Sequence, residues 1–480
     1  MKRDGFFWLL ILVAALYRFW LWDNFAGWEE SDYGNIAMVR GVWESGFRNY
    51  DMNHMPGYYG VSALFLFLYS DAVWASKLTA TLSGLVSLIV IASLMYRYVG
   101  RVPALFLILV LLIQPEFSLY ASSALREPLY AAFIAGMLLF VLKEYWFWAG
   151  IFAAAAFLVR FEFPLVLFPL GIFIVRQHSW KAAYKIAIVL GVAILLWGVY
   201  CMQVHGTFQF WSHATETNIE SGSGAEAASS VAWIIRGGKV SSLLLFTVLS
   251  SRVGWFIWLG WLLSPFMIRP GQKAYVIMLL SFSLVGIWLA IAFFAQHDVN
   301  HNLYWKWMYP LVPFVSFCGV FVLWRISRDW VWRAKASFWV VILFGTMVPQ
   351  YQESHRQRER AERLYSPQIN LATFIEEQAP KDRLLLVDNI PERWINRKPN
   401  SFRIISWHDV PVASSNPMQF ARWIQENDVW CVLWFKEEWT QAPKIAPFLA
   451  EGTQWKQGEV VLTPHSKEED YGWIFYLRER

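Results

Sequence analysis

Charge is what this sequence has least of: Asp, Glu, Lys and Arg make up 16% of 480 residues, against roughly a quarter in an average soluble chain. With 57% apolar side chains, that shortage excludes an ordinary soluble enzyme and makes the chain a membrane protein. Cysteine is nearly absent too. Cys201, Cys318 and Cys431 are too far apart for a disulfide framework or metal-ligand spacing. The net charge of +5 comes from Lys and Arg clusters set between apolar runs rather than from one basic stripe, which argues for membrane topology and against nucleic acid. No internal repeat is visible.

Aromatics, by contrast, abound. Thirty Trp, 20 Tyr and 37 Phe exceed what packing needs; interfacial belts absorb many of them, and the excess is consistent with stacking on sugars.

Met1-Lys2-Arg3 precedes an apolar run over 6–22 with no small-x-small cleavage site, so it reads as a retained first span with a cytoplasmic N-terminus. Tyr17-Arg18-Phe19-Trp20 reads as its interfacial anchor. Further spans are expected over 73–96, 102–120, 128–142, 145–159, 163–175, 184–203, 240–268, 274–295, 307–324 and 336–349, about eleven in all, several of them short. A short apolar segment, 57–70, reads as interfacial or re-entrant. This count places Arg97, Arg101, Lys143, Arg176, Lys181, Lys185, Arg269, Lys273, Arg325, Arg328, Arg333 and Lys335 on the cytoplasmic side, the bias that membrane insertion favours. The segments left facing out hold nearly every ionisable residue with a claim to chemistry; Arg252, inside a span, is the exception. One of them, 204–239, contains a low-complexity run over 220–230, read as a mobile linker or a lid.

From 351 the composition changes. Residues 351–365 read as a charged helical connector, and 366–480 as a soluble α/β domain outside the cell. Apolar strand-like runs at 383–388, 402–407, 429–435, 459–462 and 473–477 alternate there with helices, one of them capped by Ser366-Pro367 and another over 417–426. It contains no Gly-rich phosphate loop, paired His or nucleophile elbow, so the chemistry is expected in residues 1–350.

The first outer segment sets Glu29, Glu30, Asp32 and Tyr33 directly after the first span. On a helix Glu29, Asp32 and Tyr33 share a face. Two close carboxylates at a low-dielectric boundary do not both ionise easily, so one is poised as a general base; the plainer alternative is that they complement a helix dipole. His54, before Pro56-Gly57, closes the same segment. Arg126-Glu127 and Arg160-Phe161-Glu162 add charged pairs at two more outer corners, costly in an apolar setting unless paired or used. His297, Asp298 and His301 have a spacing that invites a metal, but a plain loop explains it as well.

In order, the acidic pair followed by Tyr33, the Pro56-Gly57-Tyr58 segment, ALREPLYAAF (124–133), LVRFEFPLVLFPL (158–170) and NLYWKWMYPLVPFV (302–315) resemble the GT-C superfamily of integral-membrane glycosyltransferases. The branch nearest in pattern is the dolichyl-phosphate-mannose protein mannosyltransferase and lipid A aminoarabinose transferase group. The resemblance implies a GT-C-like fold and inverting transfer of a sugar from a polyprenyl-phosphate carrier to a glycan, lipid or protein acceptor on the outer face; the short loops and the absence of glycosylation-rich lumenal domains point to a bacterial inner membrane. It places the family's Asp-Glu-x-x-Tyr on Glu29, Glu30 and Tyr33, with Glu where Asp is usual and Asp32 as an added acid. The base is therefore Glu29, Asp32 or Glu30, in that order of preference. The second-loop acid falls on Glu127, the Arg-x-Glu position on Arg160 and Glu162, and the polar residue before Pro-Gly on His54. A departing lipid phosphate needs cationic donors, for which His54, Arg126, Arg160, His301 and Lys306 are candidates. Relatives differ in using a divalent cation, so no metal or other cofactor is assigned and a cation stays open. The competing reading is a transporter or lipid flippase, against which stand the missing repeat and the lack of charge at mid-membrane.

Overall fold

The computed structural model describes residues 4–23, 30–48, 55–206, 208, 253–294, 309–387, 389–397, 402–411, 416–436, 442–468 and 473–479. It divides into two compact units: 1–69 with 73–359, and 70–72 with 360–480.

The first unit is helical. Its elements are α1 (Gly5–Asp23), α2 (Glu30–Ser45), α3 (Gly57–Phe65), α4 (Ala72–Tyr98), α5 (Arg101–Ile113), α6 (Pro115–Leu119), α7 (Glu127–Leu142), α8 (Trp146–Val159), α9 (Phe163–Gln177), α10 (Trp180–His205), α11 (Trp255–Met267), α12 (Lys273–Phe294), α13 (Val312–Ser327) and the start of α14 (Trp332–Gln378). Among the described residues, Gly5–Trp22, Ala72–Tyr98 and Trp180–Val204 are long and apolar enough to cross a membrane, and seven shorter apolar helices accompany them. Outward-facing Leu9, Leu12, Leu16, Phe168, Leu196 and Phe266 are the surface expected of a bundle solvated by lipid.

Because lipid is as apolar as the helices, close backbone packing rather than burial from water must hold such a bundle. Between α11 and α13 the glycines supply it: a Cβ at Gly319 would lie 2.3 Å from the Ile257 carbonyl oxygen, and one at Gly260 would lie 2.7 Å from that of Gly319. At the end of the bundle where α1 begins, Asp4 accepts from Phe7 N–H at 3.2 Å, Tyr96 Oη at 3.2 Å and Arg101 Nη2 at 3.1 Å. Burial pushes its carboxyl up, but the Phe7 N–H, the Arg101 charge and the hydrogen bonds from Arg101 and Tyr96 outweigh that and hold it below its ordinary value.

The run read as one span over 102–120 is broken. Gln114 is extended, α6 restarts at Pro115, and a 3₁₀ turn follows at Tyr120–Ser122. Pro115 lacks the N–H needed to continue α5. At the break the side chain of Gln114 turns to another segment, its Nε2 donating to Val253 O at 2.8 Å.

The second unit is a six-stranded sheet in the order β2-β1-β3-β6-β5-β4, formed by β1 (Leu384–Leu386), β2 (Arg403–Ile405), β3 (Val429–Phe435), β4 (Trp455–Gln457), β5 (Val460–Glu468) and β6 (Trp473–Arg478). Its first three strands are parallel and the rest antiparallel. Alternate residues feed two cores. Leu384, Leu386, Val432, Trp434 and Tyr476 pack with Phe420 and Ile424 of α16 (Pro417–Glu426). Leu385, Val387, Cys431, Leu433 and Phe475 pack with Leu371, Ala372 and Ile375 of α14 and with Ile395 of α15 (Asn389–Ile395). Covered on both faces, these strands read as unbroken apolar runs. A short helix, α17 (Ala442–Ile445), follows β3. Residues 70–72 belong to this unit: Ala72 N–H donates to Arg397 O at 2.9 Å, and Arg397 lies 3.6 Å from Asp71 while pairing with Glu376 at 2.6 Å.

Two expectations are corrected. Ser366-Pro367 does not start a helix, since α14 runs unbroken through the charged connector to Gln378; Pro367 removes one N–H from the helical ladder without ending it. Arg18 is not an interfacial anchor, because its side chain is fully buried. The runs over 209–252 and 295–308, with Arg252, His297, Asp298 and the low-complexity segment, lie outside the described residues.

Candidate active site

At the opposite end of the bundle from Asp4, three corners meet. The first is the start of α2. Glu29 and His54 lie outside the described residues, and of Glu30 and Asp32 only the backbone, in the first turn of α2, is described. Tyr33 is buried. One turn after Asp32, Asn35 is a node: its Nδ2 donates to Ala124 O at 2.8 Å, and its Oδ1 accepts from Tyr59 Oη at 2.8 Å. That single amide fastens the acidic helix to α3 and to the turn that leads into Arg126-Glu127.

The second corner is α3 on α8. A Cβ at Gly57 would lie 2.7 Å from Leu158 O, so only glycine lets the Pro56-Gly57 corner seat on the last turn of α8. Arg160 follows that turn at once, extended at φ −147°, which points it away from the helix axis.

The third corner is the start of α7. Glu127 is a first-turn acid there, where the helix dipole favours negative charge, with Pro behind it. Arg160 Nη1 donates to Glu127 Oε1 at 2.9 Å, and Arg160 Nε bonds Glu162 Oε1. Arg126 Nε is 3.7 Å from the same Glu127 oxygen. The guanidinium of Arg160 also stands 6.0 Å from the Tyr130 ring.

The side chain of Glu127 is fully buried and that of Arg160 only 6% exposed. Two cations balance two carboxylates, so the cluster is neutral as a whole and tolerable in an apolar bundle. One valence is left over: Glu127 Oε2 is buried with no hydrogen-bond partner among the described residues, and Tyr130 Oη is in the same condition. A buried carboxylate oxygen without a donor is rare and asks for one.

The structure thus brings together Arg126, Glu127, Arg160 and Glu162, with Asn35 fastening α2 to the turn before them, while Tyr33 is buried on α2. His301 and Lys306 lie outside the described residues. Sequence reasoning missed Asn35, although it stands one turn past Asp32 in the same motif, because a lone Asn carries no charge signal. It also missed Lys77, one and a half turns into α4, which donates to Trp22 O at 2.8 Å. Among the described residues no group of three or more His, Cys, Asp or Glu is arranged to hold a metal ion.

No protein-family model matches the sequence, and no curated protein does. Solved structures do. ArnT from Cupriavidus metallidurans bound to undecaprenyl phosphate superposes with a TM-score of 0.62 at 12% identity, over 99% of this chain and 98% of that one. Its apo form gives 0.57 at 13% over the same shares. The apo oligosaccharyltransferase of Archaeoglobus fulgidus gives 0.54 at 11%, over 90% of this chain and 70% of that one. At such identities the likeness is one of fold alone, and it spans nearly the whole chain: the protein shares the architecture of ArnT.

Proposed function

We propose that this protein is a glycosyltransferase that moves a sugar from a polyprenyl-phosphate carrier to an acceptor hydroxyl on the outer face of the membrane, with inversion. The observation that carries the reading is the buried Arg160–Glu127 bridge, which ties two charged corners together beside an acidic helix start. Support for a lipid carrier comes from the fold shared with ArnT, which was solved with undecaprenyl phosphate. The reading includes the eleven-span topology, an N-terminus inside, and residues 366–480 as a soluble outer domain that helps select the acceptor.

In a single displacement the acceptor oxygen attacks the anomeric carbon as the carrier phosphate leaves. A carboxylate at the start of α2, from Glu29, Asp32 or Glu30, takes the proton of the attacking hydroxyl. Arg126 and Arg160, with His54, His301 and Lys306, are the cations that balance charge on the departing phosphate. Glu127 Oε2, lacking a donor among the described residues, receives a hydroxyl or amine of the bound sugar or acceptor. That contact replaces lost hydration and orients the reacting groups. Tyr33 and Glu162 complete the walls.

The test is release of polyprenyl phosphate from a labelled polyprenyl-phosphate sugar by purified protein. Glu29→Gln, Glu30→Gln and Asp32→Asn are compared; the one that removes the base lowers turnover by about 10²-fold or more while the protein stays folded. Full turnover in all three overturns the general-base assignment. Solute or lipid movement by proteoliposomes without bond cleavage would replace the reading with a transporter.

A further inference from the structure

Arg18 is the one cation of α1 inside the bundle, and the chemistry proposed above makes no use of it. Its side chain is fully buried, and Nε, Nη1 and Nη2 all lack a hydrogen-bond partner among the described residues. The guanidinium lies over the Phe117 ring at 4.9 Å from the centroid. Phe117 in turn stacks on Tyr309, centroids 4.9 Å apart, and Tyr120 stacks on Tyr309 at 6.2 Å. An aromatic face attracts a cation, but it offsets only part of what a guanidinium loses on leaving water, and it supplies no acceptor for five N–H groups. A planar, always-charged fork whose donors find no acceptor among the described residues suits a bidentate oxyanion.

Position narrows the anion. Arg18 lies five residues before the end of α1, and Lys77 five residues after the start of α4, each roughly 7 Å in along its axis. The two ends are joined, because Trp22 accepts from Lys77 and its indole donates to Thr81 at 2.8 Å. Beside Arg18 on the same helix, Phe19 and Trp20 are exposed at 39% and 48%, with the Arg358 guanidinium over the Trp20 ring. At that depth an Arg stem reaches a headgroup phosphate by extending toward the interface. The helix of Arg18 is tied to the segment after the α5 break, where Ser122 Oγ donates to Arg18 O at 3.2 Å. Ser122 is five residues from Glu127, so the same short segment serves Arg18 and the buried ion cluster.

We propose that Arg18 binds the phosphate of a membrane-borne lipid carrier, leaving its seat on Phe117 to clasp the phosphate oxygens in a bidentate pair. This rests on the glycosyltransferase reading and adds to it a phosphate-binding residue inside the first span.

The test measures binding by full-length purified protein in detergent, with undecaprenyl phosphate, undecaprenol and inorganic phosphate as probes. Wild type gains thermal stability with undecaprenyl phosphate and not with undecaprenol. Arg18→Met weakens the phosphate-dependent binding at least tenfold, Arg18→Lys keeps a weaker form of it, and Phe117→Leu alters it severalfold. If Arg18→Met does not fold, Arg18→Lys and Phe117→Leu carry the comparison. Wild-type affinity in all the folded variants overturns the assignment and leaves Arg18 a packing residue. An Arg18-dependent response to inorganic phosphate equal to that for the lipid overturns the lipid as the ligand. A wild type indifferent to undecaprenyl phosphate sinks the glycosyltransferase reading itself, an outcome separable from an Arg18→Met that binds as well as wild type.

Discussion

Arg160 meets two carboxylates at different helix starts, so its removal leaves the buried Glu127 with only Arg126, 3.7 Å away, to answer it. Arg160→Met is expected to destabilise the protein by about 3–5 kcal/mol, and Glu127→Gln added to it is expected to restore much of that. Thermal unfolding of the two single variants and the double checks this; additive losses would show that the pair is not coupled. Asp4 gives a pH signature. Its carboxyl is held below the ordinary 3.8, so the stability that it lends is present above that value and is lost as pH falls through its folded pKa. Asp4→Asn should lower the melting temperature most at neutral pH, where that stability is present, and converge on wild type as pH falls through the window, flattening the acid limb. Cys431, whose thiol burial pushes up, should resist maleimide at pH 8 until denaturant exposes it. At this scale the sequence was most legible where charge stands against an apolar background. Arg126, Glu127, Arg160 and Glu162 were all visible as paired charges, and they do meet. Asn35 and Arg18 were not: the first has no charge, and the second sits in a helix apolar on every side, where periodicity does not say which face is buried.

Helix ends were easier to read than helix contacts. The strand runs of the second unit were visible because burial on both faces leaves them uninterrupted by polar residues, whereas β4 has three residues of mixed polarity and escaped notice. The break in 102–120 was announced by Pro115, but length outweighed it. The glycine seam between α11 and α13 had no signature at all, since a glycine's partner is decided by packing. Its prediction is a contrast of sign. Gly319→Ala forces a Cβ into the Ile257 carbonyl and should cost about 1–3 kcal/mol. Gly286→Ala on α12, with nothing within 4 Å, should be neutral or gain up to about 1 kcal/mol from helix propensity. Parallel melts of the two variants decide it, and equal effects would refute the seam.

For the molecule as a whole, composition and the positive clusters made the membrane class legible, and the ordered outer motifs pointed to the GT-C fold. The extent of the second unit was not legible, because nothing in Ser70-Asp71-Ala72 marks it as a partner for residues three hundred positions later. Arg397→Ala removes bonds to Glu376 at 2.6 and 3.0 Å and the ion pair to Asp71, and should cost about 2 kcal/mol, read as earlier proteolysis of residues 360–480 on heating. That discontinuity also constrains engineering. Anyone who expresses the C-terminal unit alone, or grafts it onto another membrane bundle, severs it from a tripeptide that supplies one of its hydrogen bonds and a carboxylate. A chimera that respects the fold must therefore be cut in two places, carrying 70–72 along with 360–480 or replacing Asp71 by an acid already present in the recipient.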